Sequence, residues 1–241
     1  MIQLLPVKSI SYPESDGKPM GETDWHRVAI IRLIELLQYL FRGQKVYVTG
    51  DMLLYYEQGN PKKFVVPDVF VIKGLEQKQR RIIRTWVERK VPHCVIEVTS
   101  RKTRKKDAAT KPELYARLGI PEYFLFDPDL GYLDPSLQGY RLIDGAYQRI
   151  AAGSDGSLVS EQLGLRLIRE DDELQLYRID TGERLLTANE RAELEAAARR
   201  EEAAACREEA AARRAAENKM AEALAEVERL KAELARQQGR K

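Results

Sequence analysis

A chain of 241 residues with 44% hydrophobic content and a formal charge of +2 is long enough for one substantial domain with a segment left over, and its near-neutral balance excludes a nucleic-acid role argued from global charge alone. Two cysteines, Cys94 in an apolar run and Cys206 in a charged tail, exclude a disulfide framework or a cysteine metal cluster and fit a reducing compartment. The start MIQLLPVKSISYPESDG lacks a signal-peptide pattern, and no run of about 18 apolar residues occurs, so a soluble cytoplasmic protein with no membrane association is expected.

In chain order, Thr23 or Asp24 can cap a first helix in which Val28, Ile31, Ile34, Leu37 and Phe41 recur at helical spacing, ending near Gly43. KVYVTGDMLLYYEQ and FVVPDVFVI, separated by GNPKK, read as a hairpin of β-branched and aromatic strands. Residues 75 to 90 are polar and basic and read as a connection, after which HCVIEVTS is a short strand apolar enough to be buried on both faces. KPELYARLG predicts a second helix that Gly119 terminates, and EYFLFDP a further core strand. This order predicts an α/β fold with a mixed sheet flanked by helices. YRLIDGAYQRI, turning at Asp-Gly, and LGLRLI with ELQLYRI, turning at REDD, are hairpins expected to extend that sheet.

From residue 188 the composition shifts to Ala, Glu and Arg, with neither Gly nor Pro before Gly239. Intrinsic propensity predicts one continuous helix there and a domain boundary at 187/188. Met220, Leu224, Val227 and Leu234 form a partial heptad seam interrupted by Lys231, so the segment is either a coiled coil through which copies of the chain associate or a lone solvated helix.

Chemistry concentrates at Asp68, directly after Pro67, and at Glu97 inside VIEV. A carboxylate on a buried strand needs a cation, a hydrogen-bond network or a proton. If the two strands are neighbours the acids face one another, and at roughly 4 Å their repulsion is about 4 kcal/mol at an effective dielectric near 20. All-oxygen ligands without supporting His or Cys point to Mg²⁺ or Mn²⁺.

Pro67-Asp68 on one strand and Glu97-Val98-Thr99 on the next resemble the PD-(D/E)XK nuclease superfamily. More narrowly, GETDWH, YYEQGNPKKFVVPDVFV, VPHCVIEVTS, KPELY and GIPEYFLFDP together resemble the Uma2 family of restriction endonuclease-like proteins, over about residues 12 to 187. The resemblance implies a restriction-endonuclease-like fold, with Asp68, Glu97 and the carbonyl of Val98 as metal ligands. Thr99 stands where that superfamily has its lysine, so either Lys111 supplies the charge or the site is impaired. Lys111 and Tyr115 lie one helical turn apart on one face, similar to the Gln-x-x-x-Tyr motif of RecB-like members.

His26, in the first turn of the first helix and expected to be partly exposed, either touches metal, water or phosphate or is a bystander, and His93 has a weaker claim. Glu57 is a second-tier metal ligand. Arg101, Lys102, Arg104, Lys105 and Lys106 precede the Lys111 helix, where cations cost roughly 0.3 to 1 kcal/mol each, so contact with DNA phosphates explains them as well as solubility does. Arg80, Arg81 and Arg84 make a similar, weaker case. The expected function is a metal-dependent endonuclease on DNA, with Asp68, Glu97, Lys111, Tyr115 and His26 as candidate catalytic residues. The rival is a catalytically silent nuclease fold used for nucleic-acid binding or assembly.

Overall fold

The computed structural model describes residues 10–17, 23–100 and 109–238, with side chains as far as residue 233. The chain divides into two compact units, Met1–Thr187 and Ala188–Lys241.

Helix α1 (Asp24–Leu40) starts at Thr23, whose hydroxyl accepts a 3.4 Å hydrogen bond from the His26 backbone N–H. Its buried residues are His26, Ile30, Leu33, Leu36 and Leu37. The sequence pattern had indicated a different stripe: Leu37 is shared, but Val28 and Ile31 are more than half exposed. The helix is apolar around most of its circumference, so two stripes satisfy the helical period and only the position of the sheet selects between them.

The two runs expected as one hairpin split between two sheets. β1 (Val46–Thr49) pairs antiparallel with β4 (Val69–Lys73), while the two-residue strands β2 (Leu54–Tyr55) and β3 (Phe64–Val65) pair around GNPKK. The connection that follows is not featureless: β5 (Ile83–Arg84) runs parallel to β2, and α2 (Thr85–Glu88) is a single turn. Next come β6 (Cys94–Val98), every residue of which is buried, α3 (Lys111–Arg117) and β7 (Glu122–Phe126). β8 (Leu137–Ile143) and β9 (Ala146–Arg149) form a hairpin whose turn residues Asp144 and Gly145 both have positive φ, at 50° and 80°.

The main sheet is mixed and six-stranded, in the order β1-β4-β6-β7-β8-β9, with β6 and β7 parallel. The β8–β9 hairpin extends it as expected. β11 (Leu165–Glu170) and β12 (Glu173–Arg178) do not; with β10 (Leu158–Ser160) they form a separate three-stranded sheet. Leu165, Leu167, Leu174 and Leu176 of that sheet share one core with α1 and with Val69, Val71, Ile96 and Val98 of the main sheet. Their apolar face has α1 and the main sheet to cover, which edge-on extension would leave exposed.

The opposite face of the main sheet, with Tyr47, Phe70, Ile72, Val95 and Tyr123, packs on Tyr115 and Ile120 at α3. Strand alternation therefore sends neighbouring residues of β4 and β6 to α1 on one side and α3 on the other. The second unit is one helix, α4 (Ala188–Gln238), laced by exposed pairs such as Arg213–Glu217 and Lys231–Glu228, with Leu194, Met220, Leu224, Val227 and Leu230 exposed. Among the described residues no helix is long and apolar enough to cross a membrane.

Candidate active site

Antiparallel pairing of Val69 with Ile96 carries the register one step further, placing position 68 opposite position 97. Asp68 and Glu97 therefore share the α3 face of the sheet, both buried. The clasp is reciprocal. The Asp68 backbone N–H donates to Glu97 Oε2 at 3.1 Å, and the Val98 N–H donates to Asp68 Oδ2 at 2.8 Å. Each carboxylate is held by the other's strand.

Helix α3 brings two more groups. Lys111 and Tyr115 lie one turn apart, so both side chains reach the same spot on the sheet. The Lys111 ammonium sits 2.8 Å from Glu97 Oε2, and the Tyr115 hydroxyl donates to Glu97 Oε1 at 2.6 Å. Burial pushes the Glu97 carboxyl up to about 7 against the opposing pull of Lys111; Asp68 raises it further, and the Lys111 and Tyr115 hydrogen bonds lower it. The same burial, with the Glu97 charge alongside, holds the Tyr115 phenol well above its ordinary range.

From the other face, the first turn of α1 delivers His26, whose Nε2 lies 3.5 Å from Asp68 Oδ2. The ring is buried, not partly exposed as its place in the first turn had suggested. Five expected residues, Asp68, Glu97, Lys111, Tyr115 and His26, thus converge at one end of β4 and β6. Val98 contributes the N–H that binds Asp68.

Other expected residues lie elsewhere. Glu57 is exposed in the turn between β2 and β3, where Oε1 accepts from Asn60 Nδ2 at 3.1 Å, because the first hairpin splits before reaching it. His93 precedes β6, four residues from Glu97 and so about 13 Å away along the strand. Its Nδ1 accepts the Lys73 backbone N–H at 3.2 Å, and burial, with Lys73 and Lys90 nearby, lowers its pKa. Arg80 is bound to Glu88 at 2.9 Å, Arg81 to Glu14 at 3.0 Å, and Arg84 lies over the Tyr12 ring. Arg101, Lys102, Arg104, Lys105 and Lys106 fall outside the described residues.

Two features escaped the sequence reading. An ideal Cβ on Gly50 lies 1.9 Å from the Asp68 carbonyl oxygen, so the loop after β1 presses on the backbone that carries Asp68. The signal was an isolated glycine ending a strand pattern, which marks close backbone approach. The second is the surroundings of Thr99, a residue singled out in the sequence only for standing in place of a lysine. Its N–H donates to Phe126 O at 2.7 Å, prolonging β6, and alternation gives it the Glu97 face. Its buried hydroxyl has no hydrogen-bond partner among the described residues. The buried acids Glu122 and Asp127 belong to the scaffold: Glu122 binds Arg141, Ser160 and the backbone of Glu161, and Asp127 accepts from the backbone of Asp129, Tyr132 and Leu133.

A family model described as "Uma2: Putative restriction endonuclease" matches residues 9–178, the span that carries this entire constellation. No curated protein matches the chain. One similar solved structure is described as "a putative nuclease belonging to DUF820 from Anabaena variabilis"; it shares 14% identity over 64% of this chain and 86% of its own, with a TM-score of 0.45.

Proposed function

Because the chain belongs to the Uma2 family, whose description gives it a nuclease-like role, we propose that it is a metal-dependent endonuclease that hydrolyses phosphodiester bonds in DNA at Asp68 and Glu97. The observation that carries this reading is the Lys111 ammonium, 2.8 Å from Glu97 Oε2. Thr99 leaves the strand without the lysine of the superfamily pattern, and α3 returns a cation to the same carboxylate from the adjoining helix.

The donor set suits the proposed ion. Among the described residues no group of three His, Cys, Asp or Glu forms a metal cluster, and the site offers two carboxylates from adjacent strands. Mg²⁺ and Mn²⁺ accept such a set, completing their shells with water and substrate phosphate. Asp68 and Glu97, with the Val98 carbonyl as a further candidate, would hold the ion, which supplies Lewis acidity and a bound water of lowered pKa.

The chain's own groups do the rest. Lys111 stabilises negative charge developing on the phosphate. Tyr115 fixes the second oxygen of Glu97, so that carboxylate cannot rotate away. His26 backs Asp68 from the opposite side of the sheet. The basic run from Arg101 to Lys106 would contact DNA phosphates, and α4 would join copies of the chain.

A second reading has its own support. The protein itself supplies Glu97 with a cation and two hydrogen bonds, so the buried acids persist without metal, as a catalytically silent module that binds nucleic acid or assembles would require. Nicking of supercoiled plasmid with Mg²⁺ or Mn²⁺ decides between them: the nuclease reading requires cleavage by the wild type and none by Asp68→Ala.

A further inference from the structure

Beside the edge strand β1 lies a cleft of about 680 Å³. Tyr47 and Thr49 contribute to its floor, and residues 77–81 form its wall. Thr49 opposes Phe70 in the β1–β4 register, and Asp68 precedes Phe70 by two. Thr49, Asp68 and Glu97 thus project from the same face, with Thr49 displaced from Asp68 by about 7 Å along the strand. That is the rise of about two nucleotides.

The wall is fixed by two side chains. Gln77 Oε1 accepts from the Val48 N–H at 2.8 Å while its Nε2 donates to Val48 O at 3.1 Å, so one amide closes the outer edge of β1 as a further strand would. Arg80 donates to Glu88 at 2.9 Å and to Glu76 O at 2.9 Å, with its guanidinium carbon 4.4 Å from the Tyr47 ring centroid. These contacts account for Gln77 and Arg80 as parts of the fold. They do not account for Lys78, which is exposed on the same wall, or for Arg81, whose pairing with Glu14 is solvent-exposed and weak. Lys78, Arg80 and Arg81 line the cleft, and no carboxylate does among the described residues. Glu88 balances Arg80 and Glu14 pairs with Arg81, so the excess positive charge on this wall comes from Lys78 and from whatever Arg81 releases from its exposed pair; with the backbone already held by Gln77 and Arg80, the wall favours an anionic polymer.

We propose that this cleft seats the sugar-phosphate backbone of the nucleic-acid strand flanking the reacting bond, with Lys78 and Arg81 contacting phosphates and Gln77 and Arg80 holding the wall in place. The proposal rests on the nuclease reading of the carboxylate site, and it adds the direction in which the substrate strand leaves that site. Contacts of this kind position the strand without reading its sequence.

The test compares wild type with the double variant Lys78→Gln/Arg81→Gln. Anisotropy of labelled DNA duplexes of several sequences is measured in EDTA across a salt series. The slope of log affinity against log salt should fall by about 2, at about 0.9 per phosphate contact, equally for every sequence. Melting temperature should stay unchanged, plasmid nicking should show a raised KM at constant kcat, and Lys78→Arg/Arg81→Lys should restore the slope. An unchanged slope in the double variant, with a wild type that binds and nicks, overturns the cleft and leaves the nuclease reading standing. A reduced slope with a wild type that nicks under neither Mg²⁺ nor Mn²⁺ supports the cleft as a nucleic-acid seat and removes the nuclease reading. A wild type that does not bind DNA overturns both.

Discussion

Lys111 Nζ lies 2.8 Å from Glu97 Oε2, so the cation that β6 lacks at Thr99 reaches the same carboxylate from the first turn of α3. An ammonium at a helix N-terminus works against the helix dipole, and pairing with a buried carboxylate offsets that cost.

Lys111→Ala should therefore abolish most turnover, by about 10² to 10³, comparable to removing one oxyanion-hole donor. Thr99→Lys in the same chain should recover part of the loss, because position 99 shares the Glu97 face. Plasmid nicking by wild type, the single variant and the double variant checks this. A Lys111→Ala protein cleaving at the wild-type rate would leave the lysine as a structural counter-ion only.

Glu97 sets the pH dependence. Its folded pKa of about 7 lies above the ordinary carboxylate value of 4.5, so between those values the folded state holds the proton more tightly than the unfolded state. The contribution of Glu97 to metal-free stability is then fully present below about pH 4.5 and is lost as the pH rises to about 7. Glu97→Gln should flatten the profile, because position 97 no longer titrates. Stabilisation by added Mg²⁺ should run the opposite way, larger at pH 8 than at pH 5, since the ion requires the carboxylate charged. Melting curves across pH, with and without Mg²⁺, read both effects.

Tyr115→Phe removes the donor on Glu97 Oε1 and leaves a buried acceptor without its partner. The expected cost is about 1 to 3 kcal/mol at pH 8. At pH 5 the loss should be smaller, because a protonated Glu97 carries less charge to satisfy. Urea unfolding at the two pH values separates this from a simple packing defect, which would cost the same at both.

Gly50→Ala places a methyl group where the Asp68 carbonyl oxygen already lies, and backbone cannot yield as a flexible side-chain end does. The loop after β1 and the Asp68 backbone must move apart, for at least about 1 to 3 kcal/mol of stability. Nicking should drop more steeply than stability, since Asp68 loses its register against Glu97. Circular dichroism and cleavage at a temperature where the variant remains folded distinguish the two.

Truncation after Thr187 should leave plasmid nicking largely intact, because every group placed at the carboxylate pair lies within Met1–Thr187. Sedimentation of both forms reports whether α4 joins copies of the chain. Loss of cleavage with folding retained would show that the helix takes part in the site or builds a required dimer.

The sequence by itself determined the α/β class, the Asp144-Gly145 hairpin and the long helix, because each rests on a local signal: residue period, a turn dipeptide or composition; it marked Asp68 and Glu97 as acids where burial is costly, and the pairing of β4 with β6 made them neighbours. It also brought Lys111 and Tyr115 to one face, since four residues make about one helical turn. Only the tertiary structure decided which apolar stripe of α1 is buried, that β11 and β12 form their own sheet, that Glu57 lies away from the acids, and that Gly50 abuts Asp68. Those outcomes depend on what an element packs against, and a pattern apolar on several faces, or a strand free to pair at either end, does not encode its partner. The charge on Glu97 belongs there too: its pKa follows from burial and from groups 14 and 29 residues away in the chain, gathered only when the sheet and α3 close together.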